Sequence, residues 1–226
     1  MAIFMFGGQK GGSGKSTLAT NLSVCLAHKN LDVILIDTDP QATSSKWIQR
    51  RNDRIDKGQE LPVVNCAQRT GNVYKTILDL ANRYDHVIID AGGNDNEAQR
   101  TAMTIADILF LPLKASQVDL ETLPYMCELI SIAKNFNPNL RVVPVLSMVP
   151  TNPSIKEADC AKKLLTEFSE YIQSSKIIVR ERKVYRDTML DGLGVIEEGN
   201  LKAVQEVNLL TIEAMRGKAH AKLRKK

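Results

Sequence analysis

Short, mostly apolar runs alternate along the chain with longer stretches in which apolar residues recur every third or fourth position. The runs cover residues 3–6, 33–36, 86–89, 108–113 and 141–146. They are too short for helices and rich in β-branched and aromatic residues, which reads as strands buried on both faces. Weaker strands are expected at 61–66, which contains Pro62, and at 176–179. Helical spacing covers residues 15–29, 44–55, 70–83, 96–105, 120–135, 155–171 and 200–217, with Thr70 or Asn72 as the cap of the third and Gly217 ending the last. Strands alternating with helices predict an α/β fold: a mostly parallel twisted sheet, helices on both faces, right-handed crossovers. No linker, repeat or low-complexity segment interrupts residues 1–226, so a single domain is expected. Ligands of such sheets sit at the carboxyl ends of the strands.

Composition narrows the class. The 226 residues are 43% hydrophobic and 25% charged, ordinary for a globular protein. No apolar stretch approaches the ~20 residues needed to span a bilayer, and no signal peptide is evident, so the expected location is cytoplasmic. Cys25, Cys66, Cys127 and Cys160 are scattered without CxxC pairs, which argues against a metal site or a disulfide framework. The net charge of +4 is unevenly placed. Arg216, Lys218, Lys222, Arg224, Lys225 and Lys226 form an acid-free tail over residues 216–226, a composition suited to a polyanion.

The candidate chemistry lies in Gln9-Lys10-Gly11-Gly12-Ser13-Gly14-Lys15-Ser16-Thr17, between the first strand and the first helix. Strand, glycine loop, helix is the context of a P-loop NTPase phosphate site. The glycines let successive N–H groups of residues 11–17 curl inward around an anion, and the helix N-terminus adds partial positive charge. Lys15 is placed to reach the β- and γ-phosphates of ATP, and the Ser16 hydroxyl to ligate Mg2+. The strand at 33–36 runs into Asp37-Thr38-Asp39-Pro40-Gln41, and the strand at 86–89 into Asp90-Ala91-Gly92-Gly93. Both acidic ends belong at the same sheet edge as the loop, and Asp90 is placed to hold Mg2+ directly or through water.

The loop departs from the general motif. Gln9 stands where a glycine is usual, and a second lysine, Lys10, opens the loop. Lys-Gly-Gly-x-Gly-Lys-Ser resembles the deviant loop of the ParA/MinD ATPases, and the Gln-Lys-Gly-Gly opening is similar to the ParA partition proteins. The resemblance runs from residue 2 to about 213 and includes Asp-x-Asp-Pro-Gln at 37–41, residues 111–116 with Asp119, and residues 184–192. It implies that Lys10 reaches across an ATP-dependent sandwich homodimer to the partner's phosphates. It implies that Asp37 lies near the Mg2+ waters and that Asp39 positions or deprotonates the attacking water. Residues 90–93 match the second switch, although many relatives carry prolines where this chain has Gly92-Gly93. Residues 147–153 correspond to the adenine pocket, with Pro150 and Pro153 flanking the base. The chain looks like a short plasmid ParA without an added N-terminal helix-turn-helix domain.

From the same resemblance come non-specific DNA binding in the ATP state, release stimulated by a centromere-binding partner of ParB or ParG type, and association with the nucleoid. Two basic clusters suit phosphate contacts: Arg180, Arg182, Lys183 and Arg186, and the tail with Lys222, Arg224 and Lys225. Arg50, Arg51 and Arg54, beside Asp53 and Asp56, read instead as a solvated helix face. A membrane-docking relative would need a bulky apolar C-terminal helix; the last eleven residues hold only Leu223 of that kind. The alternative is a related ATPase that positions a conjugation, secretion or cell-surface machine.

Overall fold

The computed structural model describes residues 1–152 and 157–216. Pro153, residues 155–156 of the expected seventh helix, Gly217 and the basic tail with Lys218, Lys222, Leu223, Arg224, Lys225 and Lys226 lie outside these.

Seven strands form one all-parallel sheet in the order β3-β2-β4-β1-β5-β6-β7. They are β1 (Ala2–Phe6), β2 (Val33–Asp37), β3 (Asn65–Gln68), β4 (His86–Asp90), β5 (Ile108–Lys114), β6 (Arg141–Val149) and β7 (Ile178–Arg180). The period-two alternation of side chains splits each central strand between two cores. From β1, Ile3 and Met5 pack against α3 (Tyr74–Arg83), α4 (Glu97–Met103) and α6 (Leu123–Phe136). Phe4 and Phe6 face the other side, where α1 (Lys15–Ala27), α2 (Thr43–Asp56) and α9 (Leu201–Arg216) cover the sheet. Because both faces are covered, β1, β2 and β4 are apolar at nearly every position. This is the α/β architecture the sequence pattern predicts.

Several boundaries move for physical reasons. The third strand begins at Asn65 rather than 61; Pro62 has no N–H for a ladder, and its carbonyl is taken by Arg51. Helix α3 begins at Tyr74 and its cap position is Val73, neither of the two expected residues; Asn72, one residue earlier, still accepts from the Tyr74 N–H at 3.1 Å. The helix expected at 120–135 is α6, which begins at Leu123, and a separate short helix α5 (Gln117–Leu120) precedes it. Helix α7 (Glu157–Glu167) stops before the expected residue 171. Helix α8 (Lys183–Asp191) was not in the predicted pattern: only Tyr185 and Thr188 are buried, too few to set a helical period.

The reading of Arg50, Arg51 and Arg54 as a solvated face is overturned. Arg51 is 0% exposed. Its guanidinium donates to Pro62 O, Gly192 O and both Glu197 oxygens, and lies 5.5 Å from the Trp47 ring centroid. Arg50 donates to Met189 O and Arg54 to Asp191. All three bind α2 to the segment from α8 to Glu197. Gly192, at φ 70°, closes the contact: a methyl there would come within 2.4 Å of the Arg51 backbone nitrogen. Sequence spacing placed these arginines on a helix but not against a second one packed over it.

Candidate functional site: the phosphate loop and its acids

The carboxyl ends of β1, β2 and β4 lie side by side. Phe6 pairs with Asp90 and Asp90 with Asp37 in the ladder registers, so both acids meet the loop that leaves β1. Three glycines shape that loop. Gly12 and Gly14 take φ of 67° and 91°, and Gly14 directly precedes α1. The loop is tethered from neighbouring strands and helices. Ser147, at the end of β6, donates its hydroxyl to Ser13 O at 2.7 Å. Gln99, buried on α4, accepts from the Gly8 N–H at 3.2 Å, while its own Nε2 is buried without a partner among the described residues. Neither tether was legible in the sequence, since both depend on which strand ends become neighbours.

The two loop lysines behave oppositely. Lys15 is buried, and its ammonium donates to Lys10 O at 2.7 Å, inside the curl. Burial pushes its pKa down, opposed by the charges of Asp90, Asp39 and Asp119. Lys10 is exposed at the loop's opening, and its ammonium has no partner among the described residues.

The acids also divide. Asp37 has both carboxylate oxygens occupied by backbone donors, Oδ1 by the Asp39 N–H at 3.1 Å and Oδ2 by the Ser45 N–H at 2.7 Å. It thereby shapes the turn that presents Asp39 and caps the start of α2. Asp39 is half-buried and accepts from the Gln41 N–H at 2.9 Å. Asp90 is 0% exposed; Oδ2 accepts from the Ser44 hydroxyl at 2.7 Å, and Oδ1 has no partner among the described residues. Burial raises its pKa to about 7, against the hydroxyls of Ser44 and Ser16 and despite Lys15. Gly92 lies beside Asp39, and Gly93 lies flat on the loop. A methyl on Gly93 would fall 2.8 Å from the Gly11 nitrogen.

A buried carboxylate with one bare oxygen costs stability. Asp90→Asn should therefore stabilise the ligand-free chain by about 1–2 kcal/mol, a rise in Tm of roughly 2–8 °C. The folded pKa lies above the unfolded one, so the ionised form destabilises as pH rises through the interval from the ordinary value of 3.8 to about 7. The gain should be largest above pH 7 and vanish near pH 4, read by thermal melts across that range. A fall in Tm at pH 8 would contradict the buried-charge account.

Beside the loop, a cleft of about 500 Å3 runs past Gly14 and Thr17 to Met148, Val179, Tyr185 and Arg186. Met148 takes φ 52° at an irregularity in the β6–β7 pairing. Pro150, expected against the base, is not among the residues lining this cleft; its carbonyl accepts from Arg180, which is.

The basic residues expected to contact DNA are not a bare patch. Arg182 is held by Glu206, which also accepts from the Tyr185 hydroxyl. Lys183 pairs with Asp187 and Arg186 with Glu181, both pairs on the surface.

A profile of the MipZ ATPases matches residues 2–128, more than half of the 226-residue chain. The chain belongs to the MipZ ATPase family. Relatives of this MipZ-family chain are ParA/MinD-type ATPases. Maintenance of carboxysome distribution protein A from Halothiobacillus neapolitanus is 27% identical over 209 residues, 91% of this chain and 93% of the relative. The chromosome partitioning protein ParA from Caulobacter vibrioides is 29% identical over 215 residues, 78% of this chain and 80% of the relative. An ATP complex of a Cyanothece McdA variant superposes with TM-score 0.70 at 15% identity, covering 92% of this chain and 94% of that one. The MipZ-family chain thus has the P-loop NTPase fold of MinD and ParA. No helix among the described residues is long and apolar enough to cross a membrane.

Proposed function

We propose that residues 1–226 form one Mg2+-dependent ATPase domain that pairs with a second copy when ATP is bound and uses the cycle to partition plasmid or chromosomal DNA. The observation that carries this reading is the division of labour between Lys15, curled inside its own loop, and Lys10, exposed at the opening with nothing to bind. A cation held outward beside a phosphate site suits a triphosphate on a facing subunit.

Residues 10–17 cradle the phosphates. The bare Oδ1 of Asp90, beside the Ser16 hydroxyl, fits a hard cation, with Asp37 supporting from behind its backbone bonds. Mg2+, when bound there, neutralises charge on the β- and γ-phosphates. Asp39 orients the attacking water, and Pro150 borders the adenine through Arg180. Because Asp39 bonds its own turn, intrinsic turnover is slow until a partner of ParB or ParG type reshapes that turn. Lys183 and Arg186, in exposed and hence weak pairs, and the tail lysines and arginine at 222, 224 and 225 meet DNA phosphates, with Arg180 and Arg182 behind them. On this reading the ATP state sits on the nucleoid within the cytoplasm.

Sedimentation with Mg2+ and ATP should show a dimer, and with ADP a monomer. The dimer should bind arbitrary duplex DNA with a log–log salt slope of about −3.6 or steeper, from four or more phosphate contacts. No nucleotide effect on mass would overturn the proposal. A dimer that ignores DNA would favour a second reading, positioning of another cargo. The relative named for carboxysome distribution, which matches 91% of this chain, supports that reading.

A further inference from the structure

A third lysine stands at the phosphate loop. Lys114 ends β5, directly beside Ser147 in the β5–β6 register. Ser147 grips Ser13 O, and Lys114 reaches the same loop one residue earlier: its ammonium lies 4.0 Å from where a methyl on Gly12 would sit. Lys114 is half-buried and makes no hydrogen bond or ion pair among the described residues. An ammonium carries three donors, and a half-buried one without a carboxylate leaves them to water or an arriving anion.

The position along the loop is informative. Gly12 adjoins Gly11, which lies against Gly93, the segment that follows Asp90 and flanks Asp39. The Lys15 ammonium rests on Lys10 O at the same end. That end faces the terminal phosphate, whereas Gly14 and Thr17 border the cleft suited to the nucleoside. Asp39, Asp90 and Asp119 all act on Lys15 there, so the surroundings repel an added phosphate unless further positive charge is supplied.

We propose that Lys114 contacts the terminal phosphate and sets the preference for a nucleoside triphosphate over the diphosphate. It acts within its own subunit, before any pairing, whereas Lys10 acts across the pair. The inference rests on the nucleotide-binding reading above.

The test is the ratio of affinities for a non-hydrolysable ATP analogue and for ADP, each with Mg2+, by calorimetry on the full chain. The measurement is made in the parent and in a Lys10→Ala background, so that dimerisation adds nothing to the ratio. Lys114→Met should weaken the triphosphate about tenfold or more and ADP less than about threefold, and Lys114→Arg should restore most of the ratio. An unchanged ratio, or equal losses for both nucleotides, overturns the assignment. Lys114→Gln gives the same readout should the methionine variant fold poorly. A parent chain that binds neither nucleotide overturns the functional reading itself; a parent that binds both, with a variant ratio unmoved, overturns only the role of Lys114.

Discussion

Lys10→Ala should leave a chain that binds Mg2+ and ATP within about threefold of the parent, stays monomeric, and hydrolyses ATP about 10³-fold more slowly, the scale of a cation supplied in trans. The structure makes this a clean experiment. Lys10 is exposed and its ammonium makes no hydrogen bond or ion pair among the described residues, so its removal breaks none. The part of Lys10 that the loop needs is its carbonyl, which accepts from the Lys15 ammonium at 2.7 Å and survives the substitution. Lys15→Ala should differ in kind: it empties a buried position inside the curl and should abolish nucleotide affinity. Sedimentation, calorimetry and phosphate release separate the two. If Lys10→Ala still dimerises with ATP, the outward lysine is only a solvated side chain and the sandwich reading fails.

Arg51→Met should be the most damaging substitution outside the site. It leaves Glu197, 6% exposed in its side chain, without the guanidinium that holds both its oxygens, with only half-exposed His28 and the Gly194 N–H as partners. Removing one partner of a buried pair costs about 3–5 kcal/mol, a loss in Tm of roughly 6–20 °C for a chain of this size. The double variant Arg51→Met with Glu197→Met should recover much of that loss, since no buried charge is left alone. Burial pushes Glu197 up, but the Arg51 guanidinium, the Gly194 N–H and His28 together more than offset this and hold it below the ordinary carboxylate value. Its contribution is therefore present above that value and lost as acid titrates the folded carboxyl. Thermal melts at pH 7 and pH 3 should show the penalty of Arg51→Met only at the higher pH. A single variant that melts with the parent at pH 7 would contradict the buried-pair account.

The β1, β2, β4 and β5 strands were legible because their apolar runs are continuous, as burial on both faces demands. The loop and both strand-end acids were legible because a local motif and a strand end suffice to place them. What escaped were contacts made by topology. Ser44 meets Asp90 only because α2 starts beside a strand that follows it by some forty residues, and Gln99 meets Gly8 across 91 positions. Arg51 shows the same limit from the other side: a charged residue among charged neighbours reads as surface until a second element is packed over it. The edge strands β3 and β7 were misplaced by one to four residues because few ladder bonds fix their ends.

Helix α2 is clamped at both extremities. Asp37 and Asp90 hold Ser45 and Ser44 at its start, and the pinched glycine at 192 locks its far half to α8, which forms a wall of the cleft. Its 14 residues make a rigid strut of about 21 Å. On the proposed reading, a shift of either acid pulls on a helix with no slack at its start, and the far half of that helix is packed against the α8 wall of the cleft.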